Sequence, residues 1–317
     1  MATARDVARS HHRERSRLAR STAAAAMALW REVADDDIAR SWAALVARLL
    51  VLVTGAQRAA AQRADDYVSR VLDAQAFDPA PAGEVRPEAL SGVASDGRPL
   101  ASLLYTPAIT ALRAIRSGRP VSEALRSGRA AVGTIVRTQV EDAGRVADGV
   151  AVAVRPSVGY TRYVNPPACS RCIILAGRFY RYNTGFLRHP LCDCIHVPTR
   201  NERYAESEGL ISDPRSYFDS LSREEQDRIF TRAGAQAIRD GADIGQVVNA
   251  RRGLSRAGGR PVRGRPVLTT TEGVTRRGLA GRQMPPNTPR LMPESIYELA
   301  RDRDEAIRLL RRFGYVR

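Results

Sequence analysis

The placement of the cysteines constrains this chain more than any other feature. All four, Cys169, Cys172, Cys192 and Cys194, fall within residues 165–198, NPPACSRCIILAGRFYRYNTGFLRHPLCDCIHVP, together with His189 and His196. The spacing is C-x2-C, then sixteen residues, then H-x2-C-x-C-x-H. Zinc takes four thiolate or imidazole ligands in a tetrahedron, often as two short chelating pairs joined by a loop. Cys169 and Cys172 form such a pair. Cys192 and Cys194 form a tighter one, with His189 and His196 as further candidate ligands. A return strand ending near Val197 would turn Cys192, Cys194 and His196 to one face, because side chains two apart on a strand point the same way. Three other readings stay open. One or two disulfides would suit an oxidising compartment, but residues 1–16 are polar and charged, with no apolar core for a secretory signal. A Cys–His nucleophile needs one activated thiolate rather than four clustered thiols. Reduced cysteines packed in a small core are the plainest case.

The motif also carries a resemblance. N-P-P-x-C-x-x-C, then L-A-G-R-F-Y, then R-H-P-x-C-x-C-x-H-x-P, from Asn165 to Pro198, resembles the signature of the phage Mu F-like (MuF) minor head proteins, also called the phage head morphogenesis family. Residues 220–253, SLSREEQDRIFTRAGAQAIRDGADIGQVVNARRG, are similar to the continuation of that motif in versions from phages of high-GC Gram-positive hosts. The resemblance covers about residues 100–253. It implies a virion protein of the capsid interior, made in the host cytoplasm and present in few copies. Its implied partners are the portal protein, the capsid proteins and packaged double-stranded DNA.

The charge points the same way. The formal net charge is +16, and every basic residue is Arg. A GC-rich genome explains Arg in place of Lys, but not the surplus. A surplus of this size fits contact with nucleic acid or another polyanion. It is densest in residues 251–290, which hold ten Arg and one acid, Glu272. Arg251, Arg252, Arg256, Arg260, Arg263, Arg265, Arg276 and Arg277 are the candidate phosphate contacts. This stretch is rich in Gly and Pro and reads as a flexible basic arm that orders on its partner.

The expected fold is mainly α, of an α+β kind. Residues 1–75 read as a long helical pair, 3–32 and 34–75. His11 and His12 are expected at the surface, and Arg5, Arg9, Arg13, Arg17 and Arg20 on a solvated or polyanion-binding face. Asp37 and its two acidic neighbours suit the first turn of the second helix. Residues 76–98 read as a Pro- and Gly-rich linker and the domain boundary. A helical MuF-like region follows over 99–253. In it, Ile109, Leu112 and Ile115 face inward, and Val121, Leu125, Val132, Ile135, Val136, Val140 and Val146 mark one stripe of a long helix. Arg137, Glu141 and Asp142 are expected as solvated ion pairs. Val152 and Val154 read as the start of short strands leading into the Cys/His module at 165–198. Ser222-x-x-Glu225 is a capping box that starts a helix, with Gly241 as its stop. The arm spans 254–290, and the terminal helix lies within 291–317.

No catalytic set emerges. An enzyme of head assembly, either a zinc-stabilised nuclease or a capsid maturation protease, is the alternative function. A nuclease would need His189 or His196 as a general base, yet both are also candidate ligands. A protease would need a Ser/His/Asp set that four histidines do not supply. The most apolar run, Trp42–Val53, is shorter than the roughly 20 residues that cross a bilayer, so no membrane partner is expected.

Overall fold

The computed structural model describes residues 2–77, 79–164, 168–181, 194–211, 213–255, 265–275, 278–284 and 288–316. They divide into two units, residues 1–165 with 177–211 and residues 166–176 with 212–317. The described residues are mainly helical, as composition and periodicity predict, with two small sheets; one lies at the expected β-containing module, and the other is formed largely by the stretch read as a flexible arm.

In the first unit, Thr3 opens helix α1 (Ala4–Leu29) with a reciprocal capping box: its hydroxyl accepts from the Asp6 amide while the Asp6 carboxylate accepts from the Thr3 amide. Asp37 caps α2 (Ile38–Ala61) by accepting from the Arg40 amide. Helices α3 (Ala64–Asp73), α4 (Leu100–Leu103), α5 (Thr106–Arg116) and α6 (Val121–Ala153) complete the helical layer. The 33-residue α6 is its axis, with α1, α2, α3 and α5 all packed along it. At one end Trp30 and Trp42 meet edge to face at 4.7 Å, and each indole N–H reaches a backbone carbonyl, of Leu125 and Leu104 respectively. Gly128 is needed there, since a Cβ on it would lie 2.2 Å from the Trp30 ring.

At the other end of α6 the chain enters an antiparallel sheet. Its order is β2 (Phe179–Arg181), β1 (Gly159–Val164), β3 (Cys194–Thr199). Ile195 and Val197 of β3 join Val7, Ala8, Val68, Leu72 and Val152 in a second apolar cluster. Helix α7 (Ser170–Ile173) falls between β1 and β2 in sequence but belongs to the second unit. Helix α8 (Glu202–Ser207) follows β3, with Asn201 as its N-cap.

The second unit strings together short helices: α9 (Pro214–Ser220), α10 (Arg223–Phe230), α11 (Arg232–Arg239), α12 (Ile244–Ala250), α13 (Leu279–Gln283), α14 (Pro293–Leu299) and α15 (Arg303–Arg312). A second antiparallel sheet has the order β4 (Leu254–Ser255), β5 (Thr269–Thr270), β6 (Arg290–Leu291). Arg290 is 1% exposed and organises this region. It donates to the carbonyls of Phe313 and Glu272 and to the Gln246 side chain, and lies 4.2 Å over the Tyr315 ring. Tyr315 in turn donates to the Leu291 carbonyl, and burial pushes its hydroxyl pKa up to about 12.

Several local expectations are corrected by this packing. Val152 and Val154 do not begin strands: α6 runs to Ala153 and Val154 is its C-cap. Ile109 and Leu112 are exposed, and the inward face of α5 is carried instead by Ala108, Ala111 and Ala114. Small residues let α5 lie close to α6, which turns the larger ones outward. Val121 and Val146 are likewise exposed, while Val132, Val136 and Val140 are buried. His11 and His12 are buried, not superficial, and so is Glu141, which pairs with buried Arg145 at 2.6 Å. The helix opened by Ser222 breaks at Thr231, whose φ of +67 lies outside helical space. The terminal helix breaks between Leu299 and Asp302, and Asp302 caps α15. Within 254–290, the described residues pack into β4, β5, β6 and α13 through Arg290 and the C-terminal residues. The segment 79–99 packs within the first unit, where Gln57 accepts from the Gly92 amide and donates to the Val93 carbonyl. Ile38–Asp73 is long and apolar enough to cross a membrane by length and composition, and its Trp42, Leu49 and Val53 lie in the helical core.

Candidate functional site

The Cys/His stretch is divided between the two units. Cys169 holds extended backbone at the N-cap of α7, and Cys172 sits buried within that helix. Their sulfurs are 3.4 Å apart. That is far longer than a disulfide bond of about 2.05 Å. It is near the edge of about 3.8 Å that a tetrahedron of sulfurs has when each lies about 2.3 Å from zinc. The short helix makes the C-x2-C spacing work, because residues three apart on a helix are neighbours. These two residues group with the second unit, whereas Cys194 and His196 group with the first.

Cys194 and His196 alternate with Ile195 and Val197 along β3, as the period of a strand requires. Ile195 and Val197 face the apolar cluster. Both candidate ligands are buried. In register, Cys194 lies opposite Val164 and His196 opposite Arg162 of β1. The His196 ring is 4.4 Å from that of Tyr160, which stacks at 5.3 Å on Tyr180. Cys192 and His189 lie outside the described residues. Among the described residues, no three His, Cys, Asp or Glu side chains gather closely enough to share a metal ion.

Behind β3 stands a charged cluster that the sequence barely signals. Asp148 of α6 is fully buried and accepts from two side chains of α1: Arg15 at 2.5 Å and the His11 ring at 3.1 Å. Burial alone would raise its pKa, but the Arg15 guanidinium and the His11 ring outweigh this and hold the carboxyl well below its ordinary range. The His11 ring stacks on Tyr67 of α3 at 3.9 Å, nearly parallel. Burial, with Asp148 nearby, pushes the Tyr67 hydroxyl well above its usual pKa. That hydroxyl donates to the backbone carbonyl of His196. Gly144 makes room for the cluster, since a Cβ there would meet Arg15 at 2.7 Å. His11 and Arg15 are one helical turn apart, which was the only available signal. Their partner lies 133 residues beyond Arg15.

The arginines of the basic segment have varied roles. Arg251 donates to Glu294 at 2.6 Å and to the Thr231 hydroxyl at 3.3 Å. Arg252 lies 3.5 Å from Glu272, and Arg265 donates to the Glu298 carbonyl. Arg256, Arg260, Arg263, Arg276 and Arg277 lie outside the described residues.

The second unit has a cleft of about 840 Å³, lined by Thr231, Arg232, Arg239, Glu294 and Tyr297 among others. Several of its charges neutralise one another, Asp227 with Arg239 at 3.0 Å and Glu294 with Arg251. A smaller cleft beside His11, of about 250 Å³, is lined by the ion pairs Glu14–Arg63 and Asp66–Arg70.

No curated protein and no solved structure matches this chain. A family model described as "VG15 protein" matches residues 1–222, a span holding both cysteine pairs, the α1–α6 layer and the sheet of β1, β2 and β3. That match covers more than half of the 317 residues, and the chain belongs to the VG15 protein family, a family of phage proteins.

Proposed function

We propose that this phage protein is a minor component of the head, internal and portal-associated, which contacts packaged DNA through its arginine-rich segments. The observation that carries this reading is the Asn165–Pro198 motif, with its resemblance to MuF minor head proteins, in a chain whose family is a phage family. The net charge of +16 supports the DNA contact, because a shell interior filled with duplex is the polyanion such a surplus suits.

In the same reading the Cys/His stretch holds a structural zinc ion. The donor chemistry fits: Cys169 and Cys172 form a chelating pair with sulfurs 3.4 Å apart, and Cys192, Cys194, His189 and His196 offer more donors than the remaining positions need. Zinc bound there would add its binding free energy to the folding of this stretch. The role does not require chemistry on a substrate.

Quantitative mass spectrometry of purified particles of the encoding phage tests this directly. A few copies per portal, with peptides from both units, is the expected result. Absence from mature particles would remove the virion reading.

A further inference from the structure

We propose that the outward face of α1 is a binding surface for the phosphate backbone of duplex DNA. It deepens the DNA contact above, adding a folded surface on the first unit to the arginines of the second. Arg9, Arg13, Arg17 and Arg20 are all exposed on this helix. At 100° and about 1.5 Å per residue they fall within a sector of about 80° and run along about 17 Å of the helix. Among the described residues, none of the four has an ion-pair partner.

Elsewhere among the described residues, some exposed arginines are matched at three- or four-residue spacing, Arg70 with Asp66, Arg126 with Glu123, Arg215 with Asp219, Arg228 with Glu225 and Arg301 with Glu305, while others, such as Arg113 and Arg116 of α5, are not. Such pairs favour a helix, and like charges at the same spacing disfavour it by a similar amount. Arg9–Arg13, Arg13–Arg17 and Arg17–Arg20 are three consecutive unfavourable pairs. Of the nearby acids, Asp6 offsets part of the Arg9 charge. Asp6 is held in the capping box with Thr3, and Glu14 turns to Arg63 at 2.5 Å. A polyanion laid along the face removes this repulsion.

The chemistry of the face favours a phosphate backbone over a protein or membrane partner, and duplex DNA is the phosphate polymer of the proposed function. Every exposed residue of α1 is charged, serine or alanine. Protein interfaces centre on aromatic and large aliphatic anchors, and none is exposed here. A helix lying on an anionic membrane needs an apolar face for the lipid, and that face of α1 is buried against α6 and α2. What is left is a row of guanidinium groups, suited to sequence-independent phosphate contact.

The test uses the full-length protein and a random-sequence duplex, with affinity followed by fluorescence anisotropy across a salt series. In the variant R9Q/R13Q/R17Q/R20Q the slope of log K against log salt should become shallower by about 3 to 4, at about 0.9 per lost phosphate contact. The Arg→Lys version of the same four should keep the wild-type slope. Should the quadruple variant misfold by circular dichroism, R9Q/R13Q and R17Q/R20Q are each expected to give about half the loss. An unchanged slope in folded variants overturns the proposal. So does Arg-dependent binding to polyglutamate with no binding to duplex, which would assign the face to an acidic protein. If R256Q/R260Q/R263Q weakens DNA binding and the α1 variants do not, the DNA contact of the proposed function stands and this surface falls. If particles lack the protein but the α1-dependent slope holds, this surface stands and the head assignment falls.

Discussion

The hydroxyl of Tyr67 donates a hydrogen bond to the backbone carbonyl of His196. The two residues are 129 positions apart, and the bond ties α3 to the strand that carries two of the candidate zinc ligands. The other side of the Tyr67 ring lies against His11, which is held by Asp148. A buried ionic cluster therefore braces the strand from behind, while its candidate ligands alternate with core residues along it.

Replacing Tyr67 with Phe keeps the stack and removes the donor. The buried carbonyl of His196 would then lack that partner, at a cost of about 1 to 3 kcal/mol. Chemical denaturation should show this loss in Tyr67→Phe with an unchanged m value. A loss below a few tenths of a kcal/mol would mean that the bond does not brace the strand.

Asp148 predicts an acid sensitivity. Its folded-state pKa is depressed by Arg15 and His11, so the ionised form is favoured by the fold. The stability this contributes is fully present above the unfolded carboxylate pKa of about 3.9 and is lost as pH falls through the lower folded value. Asp148→Asn leaves Arg15 without its buried counter-charge and should cost about 3 to 5 kcal/mol at pH 7. Unfolding free energies from pH 7 down to pH 3 should fall less steeply in the variant than in wild type. Parallel curves would place the acid sensitivity elsewhere.

Two glycines on α6 make a paired prediction. Gly128→Ala puts a methyl against the Trp30 ring and should destabilise by about 1 to 3 kcal/mol through overpacking. Gly149 has open space around its would-be Cβ, so Gly149→Ala should stabilise by up to about 1 kcal/mol through helix propensity. Thermal midpoints moving in opposite directions would confirm the contrast.

Thr231 joins α10 to α11 with φ +67 and ψ 155, a region nearly reserved for glycine. Its hydroxyl accepts from the Gly234 amide and from Arg251, and meets Glu294 at 3.2 Å. Thr231→Ala keeps the strain and loses the cap, and should cost about 1 to 2 kcal/mol. Thr231→Gly releases the strain at small capping cost and should be neutral or stabilising. If both variants lose the same stability, the hydroxyl contacts rather than the backbone decide this junction.

For the zinc reading, protein prepared under reducing conditions should carry one equivalent of zinc by elemental analysis. Cys169→Ser and Cys194→Ser should each lose it, and chelation should lower the thermal midpoint. Full zinc retention in both variants would rule these two sulfurs out as ligands.

The long periodic helices, the acidic start of α2 at Asp37 and the capping box at Ser222 follow from local chemistry, and the sequence alone determines them. So does the clustering of thiols and imidazoles in one short stretch, which marks a candidate ligand set without assembling it. What only tertiary structure decided are the pairings between distant residues and the choice of buried face. Asp148 carries no local signal of burial; α1 packs on α6 and encloses it with Arg15 and His11. Ile109 and Leu112 read as core until α5 packs through its alanines. Arg290 reads as part of a loose basic arm until the C-terminal carbonyls and Tyr315 surround it. In each case the deciding quantity is desolvation, which depends on what lies across the packed interface and not on the neighbours in sequence.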